Sequence, residues 1–148
     1  MNIALLAHDN KQELMAQFCF TYRWTLYIHN LFAPATIGKL INSVTDIPVT
    51  ALMLPCCNGG SEQIGAKIAF KEIDLVLFFC DPSGKTSTRD VEAISRLCDA
   101  YGVPYATNIA TAEALILALG RGNIPQISRR DYLRLPSEDP KMLSFTLL

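Results

Sequence analysis

The sequence has 148 residues, about the size of one domain, and a chain of this length can fold without a metal or disulfide staple. Half of the residues are apolar and only 18% are charged, which excludes a disordered chain and suggests that a partner subunit covers some apolar surface. Thirteen basic and fourteen acidic residues leave a net charge of −1. The chain therefore lacks the basic footprint of a protein that binds a nucleic acid polymer.

Membrane, secretory and metal signals are also missing from the sequence. The longest apolar runs, 3–7 and 75–80, are too short to cross a bilayer, and the first residues lack the basic flank of a secretory peptide. The five cysteines include no C-x-x-C pair, so neither a disulfide framework nor a zinc site is predicted. We expect a cytoplasmic protein without a metal or cofactor and without a membrane partner.

The first part of the chain predicts alternating strands and helices. Asn2–Ala7 is an apolar strand, and Lys11–Tyr27 has apolar residues at helical spacing, with Asp9 as its N-cap. Trp24 and Tyr27 fall outside the main apolar face of this helix and fit either a subunit contact or an ordinary buried aromatic pair. A short strand at Leu31–Ala33, a turn at Pro34–Ile37 and a helix from about Gly38 come next.

The second part continues the alternation and predicts, in order, strand Val49–Leu54, helix Ser61–Lys71, strand Asp74–Phe79, helix Asp90–Tyr101, strand Pro104–Ala106 and helix Thr111–Leu119. Strands without apolar–polar alternation are typical of a parallel sheet that is covered on both faces. The predicted fold is therefore a three-layer α/β domain at residues 1–120, with a five-stranded parallel sheet between helices. Residues 121–148 form a predicted C-terminal tail that packs on the body or on a neighbouring subunit.

The carboxyl ends of these strands locate the expected site. In open parallel sheets, ligands bind beyond the carboxyl ends of the strands, where each loop leads into a helix N-terminus that favours an anion. Neither a Walker A motif nor a G-x-G-x-x-G motif is present in the sequence. The rim at this edge therefore suits a small phosphorylated or carboxylated ligand.

Several segments resemble the methylglyoxal synthase family in their order and spacing: NIALLAHDNKQELM from residue 2, IGKLI at 37–41, GGSEQIGAKIA at 59–69, EIDLVLFFCDP at 72–82, DVEAISRLCD at 90–99 and VPYATNIATAE at 103–113. The resemblance implies that family's five-stranded parallel fold and its usual homohexamer. It also implies the family's reaction, in which dihydroxyacetone phosphate becomes an enediolate that expels phosphate to leave methylglyoxal.

The rim departs from the pattern that the resemblance implies. Gln12 stands where the family has a phosphate-holding lysine, with Lys11 one place early, and Ser61 stands where it has the catalytic aspartate. The segment 83–89 contains no histidine, although the family has a catalytic histidine in this loop. Asp81 and Asp90 match family aspartates.

These departures favour a methylglyoxal-synthase-like protein that has lost the lyase reaction and binds a small anionic or phosphorylated metabolite, such as a nucleotide. One alternative is an active methylglyoxal synthase that uses Asp81 or Glu62 as its base, and another is a structural oligomer with a vestigial pocket. The predicted ligand-binding residues are His8, Asp9, Lys11, Thr36, Gly38, Gly59, Gly60, Ser61 and Glu62; the predicted catalytic residues, if the chain is active, are Asp81 and Asp90.

Structural alternatives accompany four of these residues. His8 could merely close the first strand, and Asp9 and Asp90 could cap their helices, with Ser87-x-x-Asp90 forming a capping box. Asp81 could only begin a turn. The sequence alone leaves these alternatives open.

Overall fold

The computed structural model describes residues 1–52, 60–83 and 88–122, and it places the side chains of all of these except 51, 52, 60 and 88. The described residues form five strands and six α-helices, with a short 3₁₀ helix at Asp9–Lys11. The strands are β1 (Asn2–Ala7), β2 (Asn30–Pro34), β3 (Val49–Leu52), β4 (Leu75–Phe79) and β5 (Tyr105–Ala106). The helices are α1 (Gln12–Thr21), α2 (Arg23–Tyr27), α3 (Ala35–Val44), α4 (Gly60–Ala69), α5 (Thr88–Tyr101) and α6 (Ile109–Gly120).

The strands form one parallel sheet in the order β3-β2-β1-β4-β5. The chain adds β2 and β3 on one side of β1 and then crosses to the other side for β4 and β5. Ala7 pairs with Phe79 at the carboxyl ends of β1 and β4. The order of the strands reverses between these two, which is where open α/β sheets bind their ligands.

Two apolar cores lie on opposite faces of the sheet. Alternate residues of β1 point to opposite faces, so that Ile3 and Leu5 pack with α1, α2, α3 and α6, whereas Ala4 and Leu6 pack with α4 and α5. The strand β4 is buried along its whole length. The predicted three-layer sheet with helices on both faces is therefore confirmed.

The predicted helix Lys11–Tyr27 is wrong in its continuity, because it is broken at Tyr22. The backbone of Tyr22 lies at φ −105° and ψ 24°, between α1 and α2. Side-chain donors engage the last carbonyls of α1: the Thr21 hydroxyl donates to Gln17 O at 2.9 Å and the Arg23 guanidinium donates to Phe20 O at 2.8 Å. Such local side-chain bonds compete with the next helical turn and end α1.

The predicted cap at Asp9 is also wrong. The N-cap of the 3₁₀ helix is His8, and Asp9 lies inside this helix without capping it. The Asp9 carboxylate instead accepts a long hydrogen bond of 3.4 Å from the side-chain amide of Gln12.

The predicted turn at Pro34–Ile37 does not form, because α3 begins directly after β2, at Ala35. Pro34 holds φ −56° and ψ 151° at the N-cap position, and its ring fixes the φ value that the passage from strand to helix requires. Residues 35–37 therefore belong to the first turn of α3 itself, and no separate turn precedes the helix.

The predicted helix Ser61–Lys71 begins one residue earlier and ends at Ala69. Lys71 adopts a left-handed φ of 60°, and the Glu72 N–H donates to Lys67 O at 2.8 Å. This is a Schellman ending with lysine at the position that usually holds glycine, so the glycine that normally indicates the end of a helix is missing there. Residues 53–54 of the third predicted strand, and residues 123–148 of the predicted tail, lie outside the described residues.

None of the helices within residues 1–52, 60–83 and 88–122 has both the length and the apolar character needed to cross a membrane.

Candidate functional site

Two loops meet at the carboxyl ends of the central strands β1 and β4. The His8 N–H extends the ladder by donating to Phe79 O at 3.0 Å. In return, the backbone N–H of Asp81 donates to Nδ1 of the His8 ring at 2.8 Å. The two loops are thus joined at the point where the strand order reverses.

The His8 ring lies almost entirely inside the protein. The residue is only 8% exposed, and its ring packs edge-on against Phe78 with 5.2 Å between the ring centroids. Because Nδ1 accepts the Asp81 N–H, the neutral ring carries its proton on Nε2. Nε2 is buried and has no hydrogen-bond partner among the described parts of the chain. An orphaned buried donor of this kind is costly, so a ligand acceptor at Nε2 would relieve a real penalty.

A second polar group joins the N-terminal turns of α4 and α5. Ser61 is 5% exposed, and its hydroxyl donates a hydrogen bond to the Asp90 carboxylate. Burial raises the pKa of the Asp90 carboxyl, and the nearby negative charge of Glu62 raises it further. The imidazole of His8 and the Ser61 hydroxyl oppose this shift. His8, Ser61 and Glu62 are therefore all close enough to Asp90 to change the pKa of its carboxyl group.

The Asp81 carboxylate has a structural role beside this group. Its Oδ1 accepts the backbone N–H of Ser83 at 2.9 Å, which forms a turn two residues long after β4. The residue is partly buried. The hydrogen bond from Asp81 to the His8 ring comes from its backbone N–H.

The other predicted ligand residues lie at the same edge but make fewer contacts. Asp9 is exposed, and the Lys11 N–H donates to His8 O at 2.8 Å. Thr36 is exposed in the first turn of α3, and Gly38 is buried at the end of that turn. Gly60 is the first residue of α4, and Gly59 lies outside the described residues. Their ligand contacts therefore stay predictions.

Two contributors to the site were not among the predicted site residues. Phe78 was assigned to the central strand, yet it also supports the His8 ring. Thr107 O accepts the Cys80 N–H at 3.2 Å and so ties the end of β4 to the end of β5. The only available signal was that both residues are next to predicted strand ends. Within residues 1–52, 60–83 and 88–122, no group of three His, Cys, Asp or Glu side chains is placed to hold a metal ion.

The sequence is similar to a known domain family and to named bacterial proteins. A family model described as MGS-like domain matches residues 23–107. The chain is 50% identical over 125 residues to the methylglyoxal synthase of Caldicellulosiruptor saccharolyticus, covering 84% of this chain and 88% of that protein. It is 44% identical over 136 residues to the methylglyoxal synthase of Bacillus anthracis, covering 91% of this chain and 98% of that protein.

A solved structure agrees with these relatives. The crystal structure of methylglyoxal synthase from Elizabethkingia anophelis NUHP1 is similar to this chain with a TM-score of 0.70 and 33% sequence identity. The match covers 78% of this chain and 76% of that chain. The likeness therefore extends over most of both proteins.

Proposed function

Because this chain belongs to the family of MGS-like domains, we propose that it catalyses the methylglyoxal synthase reaction. In this reaction a base removes a proton from the carbon beside the carbonyl of dihydroxyacetone phosphate. The resulting enediolate expels inorganic phosphate, and the enol that remains takes up a proton at its terminal carbon to become methylglyoxal. Relatives that are 44–50% identical and carry this name support the lyase more than the loss of activity favoured by the sequence alone.

The observation that carries this proposal is the pairing of Asp90 with Ser61. The carboxylate that would serve as base is missing at position 61, but the Ser61 hydroxyl holds the Asp90 carboxylate next to that position. A general base works best when its pKa lies near the working pH, and both burial and Glu62 raise the pKa of Asp90 in that direction. Asp90 can therefore take the proton in place of an aspartate at 61.

The second contribution is an oriented donor. A negative charge develops on the carbonyl oxygen when the enediolate forms, and fixed donors stabilise such a charge without reorganising. The Nε2–H of His8 is held in one tautomer by Asp81 and lacks a partner within the described chain. His8 is thus suited to donate to that oxygen, while Asp90 accepts the proton.

The phosphate would bind at helix N-termini. The first turns of α3 and α4 begin at the same edge of the sheet, and their free N–H groups favour a phosphate dianion. The hydroxyl of Thr36, exposed in the first turn of α3, and the partly buried Lys11 are available to add donors there.

A binding protein without lyase activity is the second candidate, because Ser61 cannot itself act as a base. Its hydroxyl already donates to Asp90, and a neutral residue at this position lowers the repulsion of an anion such as a nucleotide. This candidate keeps the same pocket and the same anionic ligand class. It differs only in whether product forms.

The deciding experiment measures phosphate and methylglyoxal released from dihydroxyacetone phosphate, together with binding of the same compound by calorimetry. The proposal expects equal amounts of the two products. It also expects Asp90→Asn to lower kcat by about 100- to 10,000-fold, the usual contribution of general acid–base catalysis. Asp46→Asn is the matched control, because Asp46 is exposed beyond α3, before β3 begins, and should keep full activity.

The other outcomes separate the candidates. Binding without product formation would support the binding protein, and neither binding nor product would support a vestigial pocket. Activity that survives Asp90→Asn would rule out Asp90 as the base while leaving the reaction assigned.

We also propose that the chain works as a homo-oligomer, a hexamer, in the cytoplasm. The low charged fraction of 18% supports a surface that is partly covered by other subunits. Light scattering should give a mass that is a multiple of the 16.4 kDa chain, and six times this mass for the hexamer. A mass of one chain at micromolar concentration would contradict the assembly.

A further inference from the structure

An apolar patch covers the outer side of α2 and the end of α1. It consists of Phe20, Trp24, Tyr27 and Ile28, which are 49%, 76%, 61% and 76% exposed. Trp24, Tyr27 and Ile28 are spaced along one side of α2, and the Arg23 guanidinium, which lies over the rings of both Phe20 and Trp24, places Phe20 beside them. We call this surface the α2 patch. Large apolar side chains that are exposed together usually mark a contact surface.

The patch is ordered and lies far from the candidate site. The Arg23 guanidinium sits over the Phe20 ring at 4.4 Å and over the Trp24 ring at 5.2 Å from the centroids. The chain then enters β2, whose first residue, Asn30, pairs with Asn2 at the amino end of β1. The α2 patch is therefore at the amino edge of the sheet, whereas His8 and Asp90 lie at the carboxyl edge.

The last described helix brings the chain to this same place. The helices α2 and α6 pack together, and a Cβ on Gly120 would lie 3.5 Å from the Thr25 Oγ1. Since Thr25 is in the middle of α2, the last described residues, 121–122, lie beside this helix. Residues 123–148 follow from that point.

We propose that the segment Lys141–Leu148 of the same chain packs on the α2 patch. This segment reads KMLSFTLL, with five large apolar residues and no acidic residue. Eighteen residues, 123–140, connect it to Gly122. Eighteen residues can reach at most about 60 Å when fully extended, whereas the five residues of α2 extend over only about 7.5 Å.

The geometry favours the chain's own segment over a separate partner. A short tether gives the segment an effective concentration of about millimolar at the patch, which a second protein would rarely reach. The contact would be mainly apolar, because five of the eight side chains in the segment are large and apolar and Lys141 carries its only charged side chain. Its strength should therefore depend little on salt concentration.

Trp24 provides the measurement, because it is the only tryptophan of the chain. In the full chain we expect Trp24 fluorescence to be shielded from acrylamide. A chain that ends at Pro140 should show a red-shifted emission and a severalfold higher quenching rate, equal to that of a chain ending at Gly122. Adding the Lys141–Leu148 peptide at millimolar concentration should restore the shielding, in low and in high salt.

Point variants test the same contact without truncation. Phe145→Asp should expose Trp24, whereas Ser144→Asp adds the same charge at the neighbouring polar residue and should expose it less. Far-UV circular dichroism checks that each variant keeps its fold.

Three results would overturn the proposal. Acrylamide could quench the fluorescence of Trp24 as strongly in the full chain as in the two truncated chains. The Pro140 truncation could leave the shielding intact while the Gly122 truncation removes it, which would assign the contact to residues 123–140. Shielding could also survive both truncations and fall on dilution, which would assign the patch to a second copy of the chain.

Discussion

The backbone N–H of Asp81 donates to Nδ1 of His8 at 2.8 Å, although the two residues are 73 positions apart in the chain. This bond fixes the ring proton of the neutral imidazole on Nε2, which is buried and unpartnered within the described residues. A backbone donor thus sets the chemistry that the His8 side chain presents to a ligand.

The variant His8→Asn tests the role of Nε2 separately from that of Nδ1. An asparagine carbonyl can still accept the Asp81 N–H, but it cannot reach the position of Nε2. If Nε2–H stabilises the enediolate oxygen, kcat should fall by about 100- to 1,000-fold, the usual loss for one such donor. Some loss of melting temperature is expected as well, because asparagine gives up the ring contact with Phe78 and leaves its own NH2 group in a buried place. A loss of stability with unchanged kcat would instead assign His8 a purely structural role.

Two neighbouring substitutions should move the pKa of Asp90 in opposite directions. Ser61→Ala removes a hydrogen bond to the carboxylate, so the pKa of Asp90 should rise and the acidic limb of kcat/KM should shift to higher pH. Glu62→Gln removes a negative charge, so the pKa should fall and the same limb should shift to lower pH. The measurement is the pH profile of kcat/KM for the two variants beside the unchanged chain. Shifts in the same direction, or none, would show that Asp90 does not control the limb.

The sheet and the edge that carries the site follow from local patterns in the sequence. The run Asp74–Phe79 predicts a buried parallel strand, and the structure places β4 there beside β1. Once the strands are parallel, their following residues must share one edge, so the joining of His8 and Asp81 was foreseeable. The resemblance to the methylglyoxal synthase family predicted the same fold.

The contacts inside the site could not be predicted because they depend on tertiary packing. The bond from Ser61 to Asp90 requires α4 and α5 to lie side by side, and nothing in either helix alone specifies this bond. Reading position 61 in isolation predicted a lost base, whereas the structure shows a carboxylate hydrogen-bonded to it. The break at Tyr22 likewise depends on side-chain bonds to local carbonyls, which leave the apolar periodicity unchanged.

Lys71→Gly should stabilise the protein. The lysine ends α4 with φ at 60°, a left-handed conformation that costs a residue with a Cβ about 1–2 kcal/mol. Part of the gain is lost because glycine has more freedom in the unfolded chain, which leaves a net increase of about 0.5–1 kcal/mol in the free energy of unfolding. Urea denaturation measures it. Gly102→Ala is the matched control, because Gly102 ends α5 with φ at 65° and alanine there should destabilise.

The last prediction concerns His29, whose Nδ1 lies 3.0 Å from the Met1 amino group. Burial lowers the pKa of His29 below its usual 6.5, and the positive charge of the amino terminus lowers it further. The folded chain therefore binds this proton less readily than the unfolded chain does. The resulting stability is present above pH 6.5 and is lost as the pH falls toward the lowered pKa of the folded state.

Replacing His29 by glutamine should therefore flatten the dependence of unfolding free energy on pH below 6.5, where the unchanged chain loses stability on acidification. Acetylating the amino terminus removes the second cause, so it should weaken this dependence without abolishing it, because burial acts first. Urea denaturation between pH 5 and pH 7.5 tests both forms. If His29→Gln retained the full slope, the imidazole of His29 would not be the source of this dependence.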